Sequence, residues 1–141
     1  MVGRGDNAFD IYRRTAPVYQ EENSDVRRVE PYVYAQTVAA RASFDEGAAR
    51  NSWLTGTASW TFVNISQYIL GIKPTLTGLS VDPCLPRELD EYTVTRRYRG
   101  TQYNIHVKQT GTYSLTVDGK AVEGKVIPTP AAETCNVEVT V

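Results

Sequence analysis

The chain has 141 residues, 41% of them hydrophobic, enough for a packed core in one ordinary domain or two small ones. Fifteen Lys and Arg against sixteen Asp and Glu leave a formal net charge of −1, so no one-signed field exists to draw nucleic acid or an anionic membrane. The longest apolar runs, such as Tyr68-Ile69-Leu70, fall far short of the ~20 residues of a bilayer-spanning helix, and the opening Met1-Val2-Gly3-Arg4-Gly5-Asp6 lacks an apolar signal core. These features read as a soluble, unexported, cytoplasmic chain. Cys84 and Cys135 read as free thiols, and they show no metal-ligand spacing.

A first helix is predicted over 8–14, ending before Pro17. Glu30-Pro31 then opens a second, with proline near the first helical position, running through Tyr32, Val33, Tyr34, Ala35, Val38 and Ala39 toward Ala42. The third, over 57–70, has the clearest stripe: Phe62, Ile65 and Ile69 recur at spacings of three and four, flanked by Trp60 and Tyr68, which predicts a buried face. Gly71 and Pro74 supply its C-cap and stop. From Leu76 onward the period changes to two. Tyr103, Ile105 and Val107 alternate with Asn104, His106 and Lys108, and Tyr113, Leu115 and Val117 alternate with Ser114, Thr116 and Asp118. Asp118-Gly119 is a hairpin signal, 127–132 reads as a loop, and Val137, Val139 and Val141 close the chain with the same alternation. The fold class predicted is α+β, helices followed by a small antiparallel β-sandwich. Three helices with broad apolar faces rich in Tyr and Trp would leave surface uncovered unless further helices packed on them, so the chain is expected to be truncated at its start.

The segment Arg50-Asn51-Ser52-Trp53-Leu54-Thr55-Gly56-Thr57-Ala58-Ser59-Trp60 carries the most chemistry. A Thr-Gly-Thr step directly before a helix offers hydroxyl donors and backbone N–H groups at the positive end of the helix dipole, which suits an anion. Thr55 or Thr57 acting simply as an N-cap is the plainer alternative, and spacing alone favours the cap.

Four ordered motifs resemble glycoside hydrolase family 94: Glu30-Pro31-Tyr32-Val33-Tyr34-Ala35-Gln36; Arg50 to Ala58; Ile69-Leu70-Gly71-Ile72-Lys73-Pro74; and Gly78-Leu79-Ser80-Val81-Asp82-Pro83-Cys84-Leu85-Pro86. Within it they are most similar to the members that act on cellobiose. The resemblance runs from Gly5-Asp6 to the strand 103–107 and fades after Gln109. It implies that 1–74 are the last helices of an (α/α)6 barrel catalytic domain and 75–141 a C-terminal β-sandwich. It further implies a homodimeric parent enzyme that converts cellobiose and inorganic phosphate to α-glucose 1-phosphate and glucose with inversion, phosphate being a substrate and no cofactor or metal being needed. Thr55 and Gly56 match the family's phosphate-binding pair, and Gln36 matches a glutamine that reaches the donor sugar. The general-acid aspartate and the phosphate-binding histidine have no counterpart here, so no catalytic residue is assigned to this chain. Related enzymes act on cellobionic acid, cellodextrins, chitobiose or laminaribiose.

Other features carry plainer readings. Arg4-Gly5-Asp6 and Asn64-Ile65-Ser66 are coincidental matches to adhesion and glycosylation triplets in a chain with no export signal. Glu30 reads as a helix-start carboxylate and Tyr32, Tyr34, Trp53 and Trp60 as core aromatics. His106 alternates onto a solvated strand face. A carbohydrate-binding module would need Tyr92, Tyr98, Tyr103 and Tyr113 exposed in a row, and a bracing role for the β-domain would not.

Overall fold

The computed structural model describes residues 3–129 and 132–141. The chain forms two compact units, one of Asn7–Asn64, the other of Ile65–Val141 together with the start of the chain up to Asp6.

Helix α1, Gly5–Thr15, covers the first predicted helix and carries Asp6 in its first turn and Arg13 and Arg14 in its last, charges that suit its dipole. An Asp10–Arg14 ion pair of 2.9 Å spans one turn of its surface. Pro17 starts a 3-10 stretch to Asn23, and α2, Ser24–Arg27, ends on Arg28, whose left-handed backbone (φ 56°) lets its N–H reach Ser24 O at 3.0 Å.

The second predicted helix is absent. Ala35–Val38 is strand β1, paired antiparallel with β2, Ala49–Ser52, in the register Ala35↔Ser52 and Thr37↔Arg50. Valine, threonine and tyrosine around Glu30-Pro31 favour a pleated backbone, and pairing with β2 overrides the helical spacing. The third predicted helix exists as α3, Thr57–Val63, continued by a π-helical turn, Asn64–Ile69, where Leu70 N–H bonds Ile65 O five residues back. Its stripe is not buried as predicted: Ile69 is, Ile65 is half-buried, and Phe62 is 62% exposed. Of thirteen exposed large apolar side chains among the described residues, eleven lie within Asn7–Asn64, so that unit does not cover its own apolar surface.

The second unit does. Strands β3 (Ile72–Pro74), β4 (Gly78–Val81), β5 (Glu91–Tyr98), β6 (Thr101–Lys108), β7 (Ser114–Val117), β8 (Lys120–Ala121), β9 (Val126–Pro128) and β10 (Thr134–Thr140) form two sheets, ordered β3-β4-β9 and β5-β6-β10-β7-β8. Leu79, Val81 and Ile127 from one and Tyr103, Ile105, Val107, Leu115, Cys135, Val137 and Val139 from the other share one core. The sandwich is not wholly antiparallel, since β10 runs parallel to β6, Val137 opposite Ile105. Alternation marks which face a residue takes and not the direction of its strand, so this pairing was hidden in the sequence. Asp118 (φ 48°) and Gly119 (φ 77°) make the predicted tight turn between β7 and β8. The predicted loop 127–132 begins inside β9; its Pro130 and Ala131 lie outside the described residues, as do Met1 and Val2 of the opening segment.

The tyrosines are not an exposed row. Tyr103 is fully buried, and Tyr92, Tyr98 and Tyr113 pack their rings on the core. Their hydroxyls donate to the carbonyls of Leu70, Thr75 (2.6 Å) and Val81 (2.8 Å), fastening the large sheet to the small one and its approach. That removes the surface a β-domain sugar-binding module would require. Cys84 is half-buried, Cys135 buried, and each is unpaired.

Gly71 is required by geometry. Its φ is +68°, and a Cβ there would sit 2.2 to 2.3 Å from the Asp82 backbone. Gly71→Ala is expected to cost at least ~2 kcal/mol, read as a lower urea midpoint; an unchanged midpoint would contradict the packing of β3 on β4.

His106 is more than a solvated residue. Its Nδ1 lies 2.8 Å from the Glu138 carboxylate on β10 and its Nε2 3.6 Å from that of Glu91 on β5. These carboxylates, Glu138 foremost, raise the imidazole above its ordinary value of 6.5. The stabilisation is therefore full below about pH 6.5 and is lost as pH rises through the higher folded value. His106→Gln should lower Tm at pH 6 and have little effect at pH 9; a pH-independent difference would rule out the ion pairs as its cause.

Candidate functional site

The turn from β2 into α3 positions the predicted site residues. Asn51 (φ 55°) and Trp53 (φ 72°) both adopt left-handed backbone, and Leu54 N–H closes the turn on Asn51 O at 3.3 Å. Asparagine visits this region readily, whereas a bulky tryptophan there is a genuine outlier. Asn51 Nδ2 donates to Gln36 Oε1 at 2.9 Å, tying the turn to β1. Trp53 Nε1 donates to Glu30 Oε1 at 3.1 Å, and its ring meets Tyr32 edge to face, with centroids 6.0 Å apart. Upstream, Arg50 pairs with Asp45 and holds the connection between β1 and β2; that guanidinium, with the Ser43 hydroxyl, keeps the Asp45 carboxyl below the usual carboxylate range.

Glu30 does not start a helix, so its predicted role at a helix dipole falls away. Its own backbone N–H, then the Trp53 indole and Ser52, hold its carboxyl below the usual range and keep it ionised. Sequence reading missed the Glu30–Trp53 pair because the two are 23 residues apart and only the β1–β2 pairing brings them together.

Thr55, Gly56 and Thr57 follow at once. The N-cap position belongs to Gly56, which has no side chain to cap with, while Thr55 Oγ1 accepts the Thr57 N–H at 3.2 Å and lies 2.8 Å from Thr57 Oγ1. When the Thr57 hydroxyl is the donor of that pair, the Thr55 hydroxyl keeps its own hydrogen for a ligand. Gly56 has ordinary right-handed backbone (φ −76°, ψ −3°), and a Cβ on it would rest 3.5 Å from Trp60 Cδ1, a normal contact. The fold therefore does not demand glycine there. Among the described residues, no hydrogen bond joins Gln36 to Thr55 or Gly56; each is held by its own neighbour. Thr57 also lines a cavity of about 440 Å³ whose wall includes Arg14, Gln20, Asn23, Arg27 and Tyr34. Among the described residues no cluster of His, Cys, Asp and Glu could hold a metal ion, and no helix is long and apolar enough to cross a membrane.

Comparison with known proteins matches residues 1–71 to the catalytic domain of the glycosyl hydrolase 94 superfamily and residues 73–126 to the C-terminal domain of glycosyl hydrolase family 65. The chain is 39% identical over 132 residues to N,N'-diacetylchitobiose phosphorylase of Vibrio proteolyticus, covering 90% of this chain and 16% of that protein. It is 35% identical over 133 residues to solabiose phosphorylase of Paenibacillus borealis, covering 91% and 17%. To cellobionic acid phosphorylase of Neurospora crassa it is 29% identical over 128 residues, covering 89% and 16%. The chain thus spans about a sixth of the length of these relatives. With the catalytic-domain match running over half of its residues, including the Thr55-Gly56-Thr57 turn, the chain belongs to the glycosyl hydrolase 94 superfamily.

Proposed function

We propose that this chain is part of an inverting phosphorylase of β-linked disaccharides, in which it supplies one wall of the phosphate site. The observation that carries the reading is Gly56: neither its φ nor its packing calls for glycine, whereas a phosphate approaching the backbone between two threonine hydroxyls does. Thr55 Oγ1 and the Gly56 N–H act as donors, with the positive end of the helical run Thr57–Ile69 and the guanidinium-lined cavity beside Thr57 adding favourable potential. Gln36, fixed through its carbonyl by Asn51, keeps its NH2 as a donor to the glycone.

In the reaction, a phosphate oxygen forms a bond to the anomeric carbon from the face opposite the leaving sugar. The glycosidic C–O bond breaks as a carboxylic acid protonates its oxygen, giving an α-sugar 1-phosphate and the free acceptor. Phosphate is already a nucleophilic anion, so no carboxylate base is needed; the donors hold it in line and screen its charge. The acid belongs to sequence outside this chain, and neither cofactor nor metal takes part. On this reading 1–74 form the end of an (α/α)6 barrel and 75–141 a C-terminal β-sandwich, the parent is a cytoplasmic homodimer, and the exposed apolar surface of Asn7–Asn64, Tyr32 and Trp53 apart, is where the rest of the barrel packs. The relatives support the reaction and divide over the sugar. Motif wording favours cellobiose; the 39% identity to a chitobiose enzyme gives N,N'-diacetylchitobiose as the second candidate.

Thr55→Val in the full-length protein should raise the KM for phosphate about 10- to 100-fold, the loss of one hydrogen bond to a charged group, with the KM for the disaccharide held. An unchanged phosphate KM rejects the assignment. Gly56→Ala should weaken phosphate similarly while costing no more than the ~1 kcal/mol that alanine costs at an N-cap; a larger loss of stability would mean that the fold, and not the ligand, needs the glycine. The 141-residue chain alone should form no sugar phosphate from disaccharide and phosphate, and its doing so would overturn the placement of the acid.

A further inference from the structure

Glu30, Tyr32 and Trp53 stand apart from the other exposed aromatic residues of their unit. Trp53 is 65% and Tyr32 71% exposed, and the Trp53 indole N–H is spent on the Glu30 carboxylate at 3.1 Å. The left-handed backbone of Trp53 holds the ring there. Strain of this kind at a bulky residue persists only where the surroundings enforce it, and it gathers at ligand sites. The same turn continues into Thr55-Gly56, and its other left-handed residue, Asn51, holds Gln36.

Two kinds of cover could meet this surface. Apolar helices would satisfy the rings but take water from the lone pairs of the ionised carboxylate that the Trp53 indole, Ser52 and its own N–H leave open. A pyranose satisfies both, because its C–H face packs on an aromatic ring while its equatorial hydroxyls donate to a carboxylate and exchange hydrogen bonds with amides. We propose that Glu30, Tyr32 and Trp53 form a sugar-ring subsite, the rings carrying the C–H face of one pyranose and the carboxylate accepting its hydroxyls, with the Gln36 amide at its border. The choice of a β-linked disaccharide as the sugar rests on the phosphorylase reading; the carbohydrate class rests on the cluster itself.

Oxidation of the full-length protein by N-bromosuccinimide, mapped by peptide mass spectrometry, tests this directly. Trp53 should be oxidised in buffer and protected about tenfold by cellobiose or N,N'-diacetylchitobiose at ten times its dissociation constant, as mass action requires, with inorganic phosphate alone giving no protection. A Trp53 inert in buffer is packed under protein, and one oxidised at equal rates with and without either sugar binds none; each result overturns the subsite. Glu30→Gln, which keeps the indole acceptor and removes the charge, should raise the disaccharide KM about tenfold with the phosphate KM and Tm held, and an unchanged disaccharide KM also overturns it. Failure of the reaction reading looks different: sugar protection of Trp53 would persist while Thr55→Val left phosphate dependence unmoved.

Discussion

Between β2 and α3 the chain must leave an extended pairing and enter a helix within four residues, Trp53 to Gly56, and it does so through left-handed backbone at Asn51 and Trp53. Nearly every contact of the candidate site follows from that turn. Asn51 can reach Gln36 because its side chain leaves the strand there, Trp53 can reach Glu30 because its backbone is reversed, and Thr55 can accept the Thr57 N–H because the helix starts directly after it. The β1–β2 pairing is the other half of the constraint, since it brings Glu30 and Gln36 alongside the turn.

The two units differ in how they meet the hydrophobic effect. Ile65–Val141 closes its own core between two sheets and reinforces it with three tyrosine hydroxyls donated to backbone carbonyls. Burial holds the Tyr92 hydroxyl well above its ordinary range and pushes Tyr113 up to about 12, so both stay protonated donors at neutral pH. Asn7–Asn64 instead leaves Trp60, Phe62, Tyr19 and Ile11 in solvent and buries chiefly small or single side chains such as Ala16, Val33, Ala48 and Ala49. Its polar turn is ordered by local hydrogen bonds and does not depend on a deep core. A site built that way can be complete in its local geometry while its unit awaits cover.

The period-two strands were legible because one face of each is fully buried, which forces strict alternation at Tyr103, Ile105 and Val107 and again at Val137 and Val139. Gly71 and Asp118-Gly119 were legible because positive φ restricts the residue type. The segment after Glu30 misled because Tyr32, Val33, Ala35 and Val38 fall at spacings a helix would use, while the partner that makes it a strand lies beyond an intervening connection. The parallel β6–β10 pair and the Glu30–Trp53 bond were beyond reach for the same reason: each joins residues more than twenty positions apart with no local mark. Thr55-Gly56 stood out as an anion motif, and what the structure added was that neither φ nor packing requires its glycine.

Whether this turn holds phosphate for attack on an anomeric carbon is decided by the anomer of the product. The full-length protein, given cellobiose or N,N'-diacetylchitobiose with inorganic phosphate, should be followed by proton and phosphorus NMR. The α-anomer of the sugar 1-phosphate should be the first product, with no cleavage without phosphate. A β-anomer, or free sugars released equally well in the absence of phosphate, would contradict it.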